Sequence, residues 1–377
     1  MLAQVLPEFS QRFDIEFKLF FTHSAVFGID DNKKLWSKWA LHDANIIANL
    51  YQLPQLTRFP CKQALHSGQQ LWQMLPDDLA SAKQVFDQTW CGQFSEHYLP
   101  STPVINRQVK NLQRMLAKGQ EVSGSIYCQG DWFCGVDSLF HLERMLNNRG
   151  YNLGDTDVIF DKTELAETEN KSSADLSGET LNIYLSIRSP YSYLGLVQAQ
   201  KLQQKFGIKL NLKPILPMLM RSMSISSDKQ KYIYLDAFRE ATKLDIDFGA
   251  LTDPLGEGVF NCYRYFDFAR RNGKSVEYML AMYRAVFFSH IDLADEDNID
   301  KILSQLDLDI RQAKEHAKKH DWQALTDKNQ GELAALGYWG VPTFQLNEVT
   351  CWGQDRLFLI EQALIAGAQA ERCEPKE

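Results

Sequence analysis

Three short segments carry residue types that could do chemistry, and each stands where an extended run gives way to a turn. In the first, Ser189-Pro190-Tyr191 closes an alternating apolar run and opens an amphipathic one. Serine is a favoured helix N-cap, and proline suits the first helical position because its missing N–H would have no partner there. That makes a well-formed helix start. It also sets a hydroxyl and the positive end of a helix where an anion such as a thiolate would be held and its pKa lowered. The second segment is Gly340-Val341-Pro342-Thr343-Phe344. Proline cannot donate to a sheet ladder, so here it marks an edge or a cis peptide, and the sequence leaves the isomer open. A cis bond would free the N–H and C=O of Val341 to pair with an extended ligand. The third is Trp352-Gly353-Gln354-Asp355-Arg356, ahead of the apolar run LFLIEQALIAG. Asp355 reads as a helix cap. Beside free backbone N–H groups, the same carboxylate also suits a ligand end that carries both an amine and a carboxylate.

The elements that must position these segments are visible in the hydrophobic period. Leu181, Ile183, Leu185 and Ile187 alternate as a strand does; SPYSYLGLVQAQKLQQKFG follows as a helix and IKLNLKP as a second strand. Six helical stretches come next, over Tyr232–Phe248, Val259–Asn272, Val276–Ser289, Asp297–Leu306, Ile310–His320 and Trp322–Leu336. They predict an all-α insertion between a β-α-β opening and a closing β-β-α. The first half repeats the plan: Ile15, Phe17, Leu19 and Phe21 alternate, a helix runs through KLWSKWALHDANIIANLY, and a shorter helical stretch covers roughly Pro60 to Lys118. Its end, FCGVDSLFHLERML, aligns without a gap on CWGQDRLFLIEQAL, placing Gly135 on Gly353, Asp137 on Asp355, Leu139 on Leu357, Phe140 on Phe358 and Glu143 on Glu361. Such a match predicts a duplication. The acidic, Ser/Thr-rich stretch from Gly154 to Thr180 reads as the linker between copies.

At 377 residues the chain exceeds one ordinary core, since domains run roughly 100–200 residues. Its 45% hydrophobic and 23% charged residues are globular values, and no apolar run reaches the roughly 20 residues needed to cross a bilayer. A net charge of −8 with dispersed basic residues gives no pull toward nucleic acid, so a small-molecule or protein partner is expected, with a homodimer left open. Seven cysteines in no C-x-x-C pair fit neither a zinc site nor a dithiol redox centre. The start, MLAQVLPEFSQRF, lacks a signal-peptide pattern, so reduced thiols in a cytoplasm are expected.

Together, S-P-Y-S after the first strand, G-V-P-T-F and W-G-Q-D-R resemble the 2-hydroxychromene-2-carboxylate isomerase and kappa-class glutathione transferase family, a branch of the DsbA-like thioredoxin-fold superfamily. The resemblance runs from Leu181 to about Leu364 and takes in KYIYLDAFREATKLDIDFG, DPLGEGVFNCYRYFDFARRNG and YRAVFFSHIDLADEDNI. It implies glutathione as cofactor and Ser189 as the serine beside the glutathione thiol, where DsbA relatives hold the first cysteine of their redox pair. It implies that Val341 and Pro342 receive the cysteinyl backbone and that Gln354 and Asp355 hold the γ-glutamyl end. Pro190 belongs to the same helix start. Lys213 and Asn261 are further glutathione candidates, and Tyr191 and Tyr193 are candidates to line the acceptor site. The first half resembles the superfamily less well. Cys134 and Ser138 stand where the second copy has Trp352 and Arg356, Gly124 falls opposite Pro342, and THSAVFG around His23 and Ser24 lacks the S-P-Y pattern.

The expected fold is therefore α/β: two tandem thioredoxin-like domains, each with a helical insertion, the N-terminal copy degenerate. The boundaries are a first domain at 1–153, a linker at 154–180, a second domain at 181–367 and a tail at 368–377. The expected activity is a glutathione-dependent isomerisation or transfer on a small, aromatic, electrophilic substrate. A non-catalytic binding or chaperone-like role is the alternative, and thiol-disulfide exchange through Cys262 or Cys351 a third.

Overall fold

The structure, a computed structural model, describes residues 1–22, 33–91, 102–163, 176–249 and 251–373. The chain divides into two compact units, one of Met1–Lys162 with Ser227–Tyr232, the other of Thr163–Ser226 and Ile233–Glu377. Among the described residues no helix is long and apolar enough to cross a membrane.

The first unit is mostly helical: α1 (Leu2–Ser10), α2 (Lys33–Leu50), α3 (Lys62–Met74), α4 (Leu79–Cys91) and α5 (Thr102–Leu116) precede a hairpin of β1 (Ser125–Cys128) and β2 (Asp131–Cys134), and α6 (Leu139–Asn148) follows. The hairpin turns on Gln129 and Gly130, both at positive φ, the twist that two-residue hairpins favour. Its core gathers Phe9, Phe133, Leu139, Leu142 and Phe160, with the rings of Phe9 and Phe160 5.0 Å apart.

The strand expected at Ile15–Phe21 does not form; Phe13 makes a single bridge to Asn152, and the segment beyond it is irregular. The side chains still alternate between half-buried and exposed, with Ile15 and Phe17 against the core. Alternation reports an extended segment lying on apolar surface, whereas a strand also needs a neighbour to complete its hydrogen bonds, and none is at hand among the described residues. Among the described residues this unit's only ladder is therefore one hairpin, and a complete N-terminal thioredoxin domain is not seen there. What does recur is the closing β-β-α. Ser125 faces Cys134 as Thr343 faces Trp352, and Cys128 faces Asp131 as Leu346 faces Val349. The Gly135 N–H donates to Gly124 C=O at 2.9 Å just as Gly353 N–H donates to Pro342 C=O. His23 and Ser24 lie outside the described residues, as do 164–175 of the expected linker. The stretch assigned to that linker also begins inside this unit's core, because Phe160 is buried there.

The second unit opens with β3 (Thr180–Leu185), α7 (Pro190–Phe206) and β4 (Lys209–Pro214). Gly207, left-handed at φ 74°, ends α7 and lets the chain reverse into β4. A 3-10 turn at Met218–Arg221 leads to six helices: α8 (Ser227–Lys243), α9 (Glu257–Arg271), α10 (Ser275–Phe287), α11 (Glu296–Gln305), α12 (Ile310–Ala317) and α13 (Trp322–Ala335). Asp295, Asp309 and Asp321 cap α11, α12 and α13 through their side chains, each cap contributing about 1 kcal/mol. The first helix lies five residues earlier than the periodicity placed it. The chain leaves helical geometry at Asp245, φ 54°, while Ile246 and Phe248 go on packing against the core and so prolong the apolar pattern. Then come β5 (Thr343–Leu346), β6 (Val349–Trp352) and α14 (Leu357–Cys373). The sheet order is β4-β3-β5-β6, with β3 and β4 parallel and the other pairs antiparallel. This is the expected β-α-β, helical insertion and β-β-α.

Glu143 of α6 tests how the first unit is held. Its buried carboxylate accepts the N–H groups of Ile159 and Phe160 at 3.0 Å each and lies 3.4 Å from the Arg12 guanidinium. Burial nonetheless raises its pKa, outweighing those partners. A carboxyl whose folded pKa is raised gives stability that is full below the unfolded pKa and is lost as pH climbs through the folded value. Glu143→Gln, which cannot ionise, is therefore expected to gain stability relative to the native protein as pH rises from about 4. Urea midpoints measured across pH check this, and a flat or falling difference would contradict it.

Candidate functional site

Sheet register decides which residues meet. Leu185 pairs with Pro214 in parallel, Tyr184 pairs with Thr343 antiparallel, and Thr343 pairs with Trp352. The chain after β3, the chain before β5 and the chain after β6 consequently leave the sheet at one end. Ser186–Ser189, Gly340–Pro342 and Gly353–Asp355 are those three segments. The two later ones are tied by the Gly353 N–H, which donates to Pro342 C=O at 2.9 Å.

α7 seals the group. A Cβ built on Gly195 would lie 2.7 Å from Phe344 Cζ and 3.4 Å from both Pro342 Cγ and Gln354 Cβ. The helix thus presses on the Pro342 turn and on Gln354 less than two turns beyond Ser189. Gly340 is as crowded, because the Trp352 ring covers its Cα at a distance no side chain would fit.

Ser189 caps α7: its Oγ accepts the Ser192 N–H at 3.2 Å, and Pro190 occupies the first turn. The hydroxyl hydrogen is thereby left to be given to something else. The preceding turn is fixed by a two-pronged pair, Arg188 Nε and Nη2 to Asp253 at 2.8 and 2.7 Å. Burial alone would raise the Asp253 pKa, but the Arg188 bonds overcome it and hold the carboxyl below its usual range. From below, the Ile187 N–H donates to the Tyr263 hydroxyl at 3.0 Å, and that hydroxyl donates to Ile215 C=O at 2.9 Å.

The Val341–Pro342 bond is cis. Trp339 C=O accepts from Arg221 Nη1 at 3.1 Å and Gly340 C=O accepts from the Thr343 hydroxyl at 2.8 Å. Half-buried Val341 lies just outside the ladder, and among the described residues its N–H and C=O have no backbone partner. Gln354 is buried, while the Asp355 carboxylate, about one-third exposed, pairs with Arg356 Nη1 at 2.8 Å.

The remaining candidates each have partners of their own. Lys213 forms an ion pair with Glu332 of α13 and sits over the Tyr184 ring. Asn261 is buried and bonds Leu293 C=O, Ala294 C=O and Arg264, pinning the loop before α11. Tyr193 is a core residue, stacked 5.5 Å from Tyr283 with its hydroxyl on Asp247 C=O. Tyr191, at the start of α7, is half-buried and donates to Asp236 Oδ2 at 2.7 Å, so of the two tyrosines it alone stays beside the helix end. Of the described thiols, Cys262 is fully buried and burial drives its pKa up, and Cys351 is buried in β6. The described Cys61, Cys128, Cys134, Cys262 and Cys351 stand outside any disulfide.

Arg221 was not singled out by the sequence. Its Nη1 serves Trp339, whereas among the described residues its buried Nε and Nη2 have no hydrogen-bond partner, and desolvation lowers its pKa. Unpaired, desolvated donors of a charged group cost more than the roughly 1–3 kcal/mol of a neutral one. An arginine in the segment after β4 follows no motif, so no sequence signal marked it.

Residues 180–365 match the model of the DSBA-like thioredoxin domain. A curated relative, the 2-hydroxychromene-2-carboxylate isomerase of Sphingobium xenophagum, is 23% identical over 197 residues, covering 50% of this chain and 98% of that protein. Among solved structures, a selenomethionine 2-hydroxychromene-2-carboxylate isomerase aligns with TM-score 0.45 and 20% identity over 52% of this chain and 100% of its own. The cytosolic disulfide reductase DsbM from Pseudomonas aeruginosa with GSH aligns with TM-score 0.34 and 15% identity, over 51% and 98%.

The tight packing at Gly195 makes a direct prediction. Gly195→Ala gains about 0.5–1 kcal/mol of helix propensity, but an extra methyl forced against Phe344, Pro342 and Gln354 costs about 1–3 kcal/mol. Net destabilisation is expected in urea denaturation; a stabilised variant would show that α7 does not press on the Pro342 turn.

Proposed function

Residues 180–365 are a DSBA-like thioredoxin domain, and from that premise we propose that the chain is a glutathione-dependent isomerase or transferase acting on a small, aromatic, electrophilic substrate. The observation that carries this reading is the convergence at one sheet end of a serine-capped helix start and a residue, Val341, whose backbone is open beside a cis proline. Where redox relatives need a thiolate of their own, this turn offers a hydroxyl. It cannot exchange disulfides, but it can donate to a thiolate carried by a ligand.

In this reading the cysteinyl backbone of glutathione pairs with Val341 N–H and C=O, in the manner of a strand added to an edge. Its γ-glutamyl end, an amine and a carboxylate, lies toward Gln354 and Asp355. The thiol sits at Ser189 and the first turn of α7, where the hydroxyl and the helix end favour the thiolate. Arg221 receives an anionic group of glutathione or of the substrate, giving its two unpaired nitrogens a partner. Lys213, Asn261 and Tyr193, engaged elsewhere, support the scaffold, while Tyr191 borders the acceptor side.

The chemistry balances without a redox partner. The thiolate adds to the β-carbon of a conjugated carbonyl, forming a C–S bond while the π electrons move to the carbonyl oxygen as an enolate. The former double bond then rotates, the enolate collapses, and the C–S bond breaks to return the thiolate and the isomerised alkene. Protonation of the enolate instead leaves the conjugate, which is transfer. A reducing cytoplasm is the setting this requires, and the first unit, which repeats only the closing β-β-α, serves as scaffold as a diverged copy.

Calorimetry with millimolar reduced glutathione is expected to show one site per chain. Ser189→Ala is expected to raise the pKa of the bound thiol by about one unit, equivalent to one charge-assisted hydrogen bond, read from thiolate ultraviolet absorbance. It is also expected to slow conjugation of a chlorodinitrobenzene test electrophile about tenfold. Glutathione that binds with the same thiol pKa in both proteins would remove Ser189 from the chemistry, and no binding at all would leave a non-catalytic thioredoxin-fold binding protein.

A further inference from the structure

Within the helical insertion, a buried carboxylate collects more partners than its charge requires. Asp267 lies on the inner face of α9, flanked by Phe266 and Phe268, and is fully buried. Its Oδ1 accepts from Arg270, and its Oδ2 accepts from Arg271 Nε at 2.7 Å. Those arginines, one turn along the same helix, already neutralise the ion and supply it with hydrogen bonds. Yet two histidines also reach it, His316 of α12 and His320 just past that helix's end. His316 Nε2 is 2.9 Å from Asp267 Oδ2, and His320 Nδ1 is 3.6 Å from the same oxygen.

His320 is the residue that the ion network does not explain. At 3.6 Å its Nδ1 is beyond hydrogen-bond length, and among the described residues its buried Nε2 has no hydrogen-bond partner. The backbone nevertheless holds it in place. The His320 N–H donates to His316 C=O at 3.0 Å, continuing the helical turn past Ala317, so the two rings share a face and stack 5.3 Å apart.

We propose that Asp267, His316 and His320 form a zinc site that clamps α9 to α12. The three donor atoms, two imidazole nitrogens and a carboxylate oxygen, lie within 4.8 Å of one another. A tetrahedral zinc ion with bonds of about 2.0–2.2 Å sets its ligands about 3.3 Å apart, and the observed 2.9 and 3.6 Å bracket that spacing. Two nitrogens and one oxygen suit a borderline divalent cation, and water completes the tetrahedron. Arg270 stays on Oδ1 and orients the carboxylate from behind, as outer partners of metal ligands do. Arg271 leaves Oδ2; its side chain is 63% exposed, so water replaces the bond it gives up. The same two guanidinium charges oppose a dication, which fixes the expected effect of removing one of them.

The test uses the full chain, freed of metal with a chelator and titrated with zinc chloride alone. One zinc per chain and a rise in melting temperature on adding zinc are expected. His320→Gln leaves the Asp267, Arg270, Arg271 and His316 contacts in place and so keeps the fold. It is expected to weaken zinc binding tenfold or more and to abolish the melting shift. Arg271→Gln is expected to tighten binding, because it frees Oδ2 and removes a repelling charge; a purely structural ion pair has no such behaviour. Cobalt substituted for zinc is expected to show tetrahedral d–d bands without the thiolate charge-transfer bands that cysteine ligation would bring. No zinc-dependent melting shift in the native protein, equal affinity in His320→Gln, or thiolate bands would each overturn the proposal.

Discussion

The antiparallel register between β3 and β5 is the constraint on which the rest of the second unit depends. With Tyr184 opposite Thr343, the turn after β3 and the turn before β5 must share one end of the sheet, and β6, folded back on β5, delivers Gly353–Asp355 to the same place. A one-residue slip would turn Phe344, fully buried beneath α7, toward the other face and carry Pro342 away from Gly195. The buried face of β5 and the helix start thus fix each other. The candidate site is a consequence of core packing before it is a consequence of any polar contact.

Much of this was legible in the sequence, for reasons that can be named. The β-α-β opening showed because β3 and α7 keep clear periods and because Ser189, Pro190 and Gly207 punctuate the helix at both ends. The insert helices showed because their apolar residues keep a helical period. Where periodicity misled, it reported burial rather than hydrogen bonding. Ile15 to Phe21 alternate because the segment lies on apolar side chains, and no neighbouring strand converts it into sheet.

Site residues were legible where the backbone conformation is itself the function. A proline before an edge strand and a capped helix start are local facts, and register brought them together. Residues whose role depends on a partner far along the chain were not. Nothing near Lys213 announces Glu332, nothing near Asn261 announces the carbonyls of Leu293 and Ala294, and Tyr193 looks the same from sequence whether it lines a cavity or stacks on Tyr283. Arg221 and the cluster at Asp267 escaped for the same reason: solvent exclusion and convergence of helices create them, and neither leaves a spacing to recognise.

The separation of β3 from β5 also has a kinetic side. Asn182 and Gln345, which face each other across that pairing, are 163 residues apart along the chain, and the whole helical insertion lies between them. The β5–β6 hairpin with α14, like the β1–β2 hairpin with α6, is built from neighbours and needs almost no loop closure. Joining it to β3 closes a very long loop, a step that slows folding and comes within reach only as the intervening helices compact. The sheet end that holds Ser189 and Val341 is thus assembled late, and a chain emerging from synthesis has no such site until β5 and β6 have been made.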